Sequence, residues 1–269
     1  MNTEKIKDIT EQLEQGVKDV FESEKYRSYL DVMSRFYNYS AGNCILIVMQ
    51  CPGASLIAGF KAWQKKFNRH VKKGEKAIKI LAPCLHKIKK EDENGEEKEI
   101  TFTTFKAAYV FDVSQTEGAD LPTMCSRLTD SVDGYADLLE TIKEASPVPV
   151  RFDKIEGGAS GYFHTINKEI VIREGMSESQ TIKTLVHEIS HAILHDKETG
   201  EEKDAARHTA EVQAESVAYT VCQYIGLDTS EYSFEYVAGW AESREVKDLT
   251  NSLEVIRKTA KEIIEMIAA

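Results

Sequence analysis

The chain has 269 residues, 42% hydrophobic and 29% charged, with a net charge of −11. A chain of that length and composition can bury two cores, which excludes a disordered or fibrous protein, and its longest apolar runs fall far short of a bilayer span. The start, MNTEKIKDIT, lacks an apolar signal core, and five scattered cysteines (Cys44, Cys51, Cys84, Cys125, Cys222) without a CxxC pair exclude a disulfide framework or a thiolate zinc site, so a reduced, cytoplasmic protein without a membrane partner is expected.

The charge is unevenly placed. Residues 1–60 hold 6 basic and 8 acidic side chains, residues 61–90 hold 11 basic ones and only Glu75 acidic, and residues 91–269 hold 17 basic and 36 acidic. A basic block inside an acidic chain points to a separate binding surface.

In chain order, Ile6, Ile9, Leu13, Val17, Val20 and Phe21 recur at helical spacing and predict an amphipathic helix. A second helix spans about Asn43 to Met49 and stops at Pro52-Gly53; the spacing of Phe60, Trp63 and Phe67 predicts a short third. The period then changes to that of strands at Ala77 to Leu81 and Ile100 to Val113, with Asn94-Gly95 as a hairpin tip in the insert Glu91 to Glu99. Residues 116–130, aperiodic and containing Gly118 and Pro122, are expected to link an α+β domain at 1–115 to a second domain at 131–269. That second domain should hold a helix near Asp130 to Ala145, a strand from Val150, a hairpin over Tyr162 to Ile172 turning at Asn167, and three long helices near 178–196, 203–226 and 231–268.

The chemistry lies in His187-Glu188-Ile189-Ser190-His191, an HExxH sequence. Ser177 and Gln180 form a capping-box pattern, and Ile182, Leu185, Val186, Ile189 and Ile193 trace an apolar stripe, so a helix is expected there on independent grounds. Four residues is about one helical turn, which puts both imidazoles on one face as ligands to one zinc ion and Glu188 beside them as a general base. Leu194 and Lys197 stand where HExxHxxGxxH requires glycine and histidine, so the third ligand must come from elsewhere. Glu211 and Glu215, one turn apart in the run AEVQAESVAYTVC, are the candidates. Glu211 is assigned to the metal, and Glu215 to a ligand histidine or, alternatively, to the metal itself. His195 is a further second-shell or alternative ligand. His208 and Tyr219 are candidates to polarise a substrate carbonyl. The chemistry this predicts is hydrolysis of a peptide, held on an edge strand of the hairpin at 162–172.

HEISHAILH followed by EVQAESVA resembles the zincin-type peptidase domains of the ImmA/IrrE and ArdC groups, and the pair of glutamates is similar to thermolysin's ExxxD element, which favours Glu211 as the ligand. YNYSAGNCILIV, GFKAWQKKFNRHVKKGEKAIKILAP and YVFDVSQTEG resemble the single-stranded-DNA-binding domain of ArdC-type antirestriction proteins. The resemblance implies an N-terminal α+β single-stranded-DNA-binding domain, a C-terminal zincin-like metallopeptidase domain, and a role in protecting the DNA of mobile elements from restriction. Alternatives are a non-catalytic DNA-protecting protein with a structural or vestigial zinc site, and a regulatory peptidase that cleaves a repressor. On this reading Lys61, Lys65, Lys66, Arg69, Lys72, Lys73, Lys76 and Lys79 track phosphates, Tyr37, Tyr39, Phe60 and Trp63 offer stacking faces, and Arg35 and Asn43 add polar contacts.

Overall fold

The structure, a computed structural model, describes residues 2–91, 97–121, 132–195, 204–242 and 244–269. The expected hairpin tip at Asn94-Gly95, Cys125 and most of the expected linker lie outside the described residues. The chain forms two compact units that do not follow chain order: residues 1–18 with 45–121, and residues 19–44 with 122–269. Segment 19–44, expected in an N-terminal domain, thus packs with the C-terminal unit.

The first unit contains α1 (Asn2–Asp19) up to Lys18, α3 (Ala41–Gln50) from Ile45 onward, and α4 (Phe60–Phe67). It has two small sheets. β1 (Ile57–Gly59), β3 (Ile78–Glu91) and β4 (Glu97–Asp112) form an antiparallel sheet in the order β1-β4-β3, and β2 (Arg69–Val71) pairs with β5 (Thr116–Gly118). β1, β2 and β5 went unforeseen, and β5 occupies the start of the segment expected to be linker. β3 and β4 pair along their length as a ribbon, Ile78 opposite Val110 and Ile88 opposite Ile100.

At the ribbon's root, Ile78, Ile80 and Val110 are buried, as is Trp63. Asp112 closes this end. Its carboxylate accepts from the backbone N–H groups of Ser55 (2.8 Å), Leu56 (3.1 Å) and Ser114 (3.0 Å), while its own N–H donates to Gln115 Oε1 at 2.9 Å. Burial would raise the Asp112 pKa, but these donors outweigh it and hold the carboxyl below its ordinary value.

The second unit is built around α7 (Asp204–Ile225). α2 (Ser23–Arg35), α6 (Glu178–Leu194) and α9 (Val246–Ala268) pack on it, with α5 (Val132–Glu144) against α6 and α9 and α8 (Glu235–Glu242) against α2 and α7. The third long helix expected at 231–268 is therefore two helices. Val212, Ala214, Val217, Ala218, Val221 and Cys222 are all buried, so α7 is apolar on several sides because it is covered on several sides.

α2 is tied to α7 by polar contacts inside this core. Tyr26 Oη and Ser216 Oγ lie 2.7 Å apart, and Asp31 accepts from Tyr219 Oη at 2.7 Å and Gln223 Nε2 at 2.6 Å. A mixed sheet completes the unit: β8 (Glu169–Arg173) lies between parallel β6 (Val150–Asp153) and antiparallel β7 (Gly161–His164). In the β7–β8 turn the left-handed residue is Lys168, φ 54°, rather than Asn167. Asn167 instead donates from Nδ2 to Glu169.

Two outcomes follow. Asp112→Ala leaves three part-buried N–H donors without their acceptor and is expected to cost about 1–3 kcal/mol, read as a lower urea midpoint. Because the folded pKa is depressed, the carboxylate's contribution is full above its unfolded value near 4 and is lost as pH falls through the folded one, so the variant's deficit should shrink in acid. A fragment beginning at Val132 lacks α2 and bares the faces that bury Tyr26, Tyr29, Leu30 and Met33. It should show no cooperative thermal transition by circular dichroism, and a peptide of residues 19–44 added in trans should restore one.

Candidate metal centre

α6 begins at Ser177, whose side chain accepts from the Gln180 N–H at 3.3 Å. The Gln180 side chain turns to Thr184 Oγ1 at 3.2 Å instead of closing a reciprocal box. From this start the helix carries His187 and His191 one turn apart, with ring centroids 4.7 Å from each other. Their Nε2 atoms are 3.1 Å apart, and Glu211 Oε2 on α7 lies 3.6 Å from the first and 3.7 Å from the second. Among the described residues these three form the one group of histidine, cysteine and carboxylate side chains spaced to share an ion. Ligands each about 2.0–2.1 Å from a tetrahedral ion stand roughly 3.4 Å apart, so two imidazoles and a carboxylate at these separations fit a divalent metal.

Glu215, one turn along α7, meets the other side of the same imidazole: its Oε2 is 3.1 Å from His187 Nδ1. That contact fixes which nitrogen of His187 faces Glu211 and His191. Burial disfavours charge on His187, yet the Glu211 and Glu215 carboxylates outweigh it and push its pKa up to about 10. The two histidines in turn hold the Glu211 carboxyl far below the usual carboxylate range. The cluster therefore has more carboxylate than its neutral imidazoles can balance, and it favours a cation, whether proton or metal.

Glu188 is buried beside this group and directed at the sheet, where its carboxylate accepts from the Phe163 N–H of β7. Burial raises its pKa, opposed by His187 and His191. β7 is an edge strand of its sheet and lies close on α6. A Cβ on Gly161 would come within 2.8 Å of Thr184 Cγ2 and 3.0 Å of Val171 O, so the glycine serves the approach of strand to helix. Two cavities open on either side of His187 and Glu188, of about 410 and 470 Å³. Ser160, Lys183 and Tyr232 line the first; Tyr162, His195 and Arg207 line the second.

The other expected residues are placed elsewhere. His195 ends α6 with its ring 5.5 Å from that of His191, outside the three-ligand group. Tyr219 is buried and donates to Asp31, and His208 is exposed and lines neither cavity. Tyr232, which spacing alone did not single out, lines the first cavity instead.

The basic segment is also revised. Trp63 is fully buried, with Nε1–H on Phe111 O at 2.9 Å, and offers no stacking face. Arg69 is held by Thr116 and Ala119, and Lys72 Nζ donates to Ser114 O at 2.9 Å, so both head groups already have partners. Asn43 is buried, and Arg35, Tyr39 and Asn43 all fall in the second unit. Lys65, Lys66, Lys73 and Lys76 are exposed in the first.

Among the described residues, the exposed phenylalanine and tyrosine rings of the first unit are Phe60, Phe102, Phe105 and Tyr109. Three of them stand on the β3–β4 ribbon, which also exposes Leu85 and Ile88. Residues 78–88 and 101–111 contain Lys79, Lys87 and Lys106 and no acidic residue. Strand alternation could have found the pair, since Phe105 and Tyr109 face away from buried Val110.

Comparison with known proteins places both halves. Residues 2–111 match the N-terminal domain of the anti-restriction factor ArdC, and residues 143–237 match the IrrE N-terminal-like domain of the M78 peptidase family. An uncharacterised protein of Bacillus anthracis, pXO2-81, is 28% identical over 278 residues, covering 87% of this chain. The chain spans 46% of that relative's length. Crystal structures of the antirestriction protein ArdC from plasmid R388 share the fold. The metal-free form has a TM-score of 0.52 at 20% identity, with 86% of this chain and 83% of that one covered. The Mn(II)-bound form has 0.51 at 16%, with 86% and 84% covered. No helix among the described residues is long and apolar enough to cross a membrane. In both halves the chain is thus similar to ArdC-type antirestriction proteins, with an ArdC-like N-terminal domain followed by an M78-type domain.

Proposed function

We propose that the protein is a metal-dependent peptidase joined to a single-stranded-DNA-binding unit, acting in the protection of mobile-element DNA. The functional division follows the two compact units, so residues 19–44 serve the peptidase. The observation that carries the enzymatic half is the buried Glu188 carboxylate beside the His187, His191 and Glu211 triangle. A structural metal site has no use for such a base.

His187, His191 and Glu211 would hold the ion, for which zinc suits the two-nitrogen, one-oxygen donor set; the R388 relative's structure is Mn(II)-bound. A divalent ion held there would supply the Lewis acidity that makes a water nucleophilic and the positive charge that a developing oxyanion needs. Glu188 accepts the water's proton and returns it to the leaving amine, a task suited by the raised pKa that burial gives it. β7 aligns an extended peptide along its free edge beside the same carboxylate. Glu215 keeps His187 in the tautomer that presents Nε2 to the ion.

In the first unit, the β3–β4 ribbon supplies bases with Phe105 and Tyr109 as stacking faces. Lys76 and Lys79 line a cavity of about 660 Å³ beside Tyr109, where they can meet phosphates. Exposed apolar rings on strands that carry lysines and no acidic residue over 78–88 and 101–111 suit single strands, whose bases are free to stack.

Glu188→Gln should abolish cleavage of a casein or peptide mixture while leaving zinc content near one per chain; undiminished cleavage sinks the general-base role. Glu211→Ala should bring zinc content close to zero, measured after dialysis by atomic emission. For the other half, anisotropy of a labelled oligo-dT should rise steeply as salt is lowered. Replacing Phe105 and Tyr109 together by alanine should weaken binding by about tenfold or more. Wild-type protein that ignores the oligonucleotide at low salt removes the DNA half, and an unweakened double variant removes the ribbon.

A further inference from the structure

Lys183 stands one helical turn before His187 on α6, so it projects from the face that carries both imidazoles. Its side chain is only 10% exposed, and it lines the cavity of about 410 Å³ that Glu188 also lines. A buried ammonium is costly without an anion. The nearest one, Glu231 Oε2, is 3.5 Å from Nζ, and its side chain is 78% exposed. Asp228 on the same turn feels the lysine's charge but is itself exposed. The other carboxylates of the cavity are already engaged, Glu215 with His187 Nδ1 and Glu188 with the Phe163 N–H. The ammonium also lies over the buried Tyr232 ring, with Nζ 5.6 Å from its centroid. Ser160, Gln180 and Thr184 complete a polar lining. The cavity therefore presents a fixed cation next to the reacting centre, and its present counter-charge lies at the surface, where another carboxylate can exchange with it.

We propose that this cavity is a specificity pocket for a substrate carboxylate, with Lys183 as the binding residue and Glu231 as the resident anion that a substrate displaces. The proposal rests on the peptidase reading of the adjoining site. The carboxylate is either the side chain of a glutamate or aspartate next to the cleaved bond or the free end of a peptide.

The test uses the full-length, zinc-loaded Glu188→Gln protein. Its probes are labelled alanine heptapeptides: one set amidated with a single Glu walked through the chain, a matched set with Gln, and a Gln set ending in a free carboxylate. Fluorescence anisotropy should show one Glu position binding about tenfold tighter than its Gln counterpart. Lys183→Arg should keep the preference, Lys183→Met should abolish it, and Glu231→Gln should strengthen Glu-peptide binding several-fold. If the free-carboxylate set alone shows the gain, the pocket takes a chain end. Equal binding of all sets, absence of any binding, or a preference that survives Lys183→Met with native circular dichroism overturns the proposal. If the preference is found but the wild-type protein leaves the preferred peptide intact, the peptidase reading fails and the pocket stands.

Discussion

The second unit depends on one contact, the carboxylate of Glu215 3.1 Å from His187 Nδ1. It requires α7 to run beside α6 at one rotation and one height. Given that placement, Glu211, one turn earlier, arrives beside both Nε2 atoms. A shift of α7 by one residue turns the helix by about 100° and removes both glutamates from the histidines together. The packing of α2, α9 and α8 around α7 is thus the means by which two carboxylates are delivered to two imidazoles. Val212 and Ala214 between and beside those glutamates are buried, so the helix has no freedom to roll.

That arrangement explains why segment 19–44 leaves its sequence neighbours. A helix as apolar as α7 needs cover on several sides, and α6, α8 and α9 do not supply all of it. α2 brings Tyr26, Tyr29, Leu30 and Met33, all fully buried, and pairs its Asp31 with Tyr219 and Gln223. Arg27 on the same helix donates to the carbonyl of Tyr232, whose ring borders the cavity beside Glu188. The support of the metal centre thus reaches back to the first thirty-five residues, across more than 180 positions of sequence.

What could be read from the sequence were the features that depend on near neighbours. The His187 and His191 pair follows from one turn of an apolar-striped helix. The Glu211 and Glu215 pair follows from one turn of another, and the long strands follow from their alternation. Missed were β1, β2 and β5, each three residues long and too short for any period to register. Also missed were the break between α8 and α9 and the allegiance of α2, which are settled by distant packing. Trp63 illustrates the difficulty: helical spacing with Phe60 and Phe67 says that the three share a face, but only the fold says that Trp63 is inside and Phe60 is out.

The net charge of −11 says little about what the ribbon can bind, and the reason is one of length scale. At physiological ionic strength charges are screened over about 8 Å. The acid-free stretches 78–88 and 101–111 each run eleven residues, which at about 3.3–3.4 Å per residue is roughly 36 Å of paired strand. A phosphate near the middle of that ribbon is more than a screening length from either end. It responds to Lys106, which pairs opposite Ala82 near that middle, and hardly at all to the acidic residues of 89–99 beyond the far end. The root of the ribbon, where Tyr109 and Lys79 border a cavity, is the end farthest from that acidic stretch. Screening therefore makes the local balance at the root, Lys76 and Lys79 against Glu75, the charge that an anion there meets, whatever the sign of the charge summed over the whole chain.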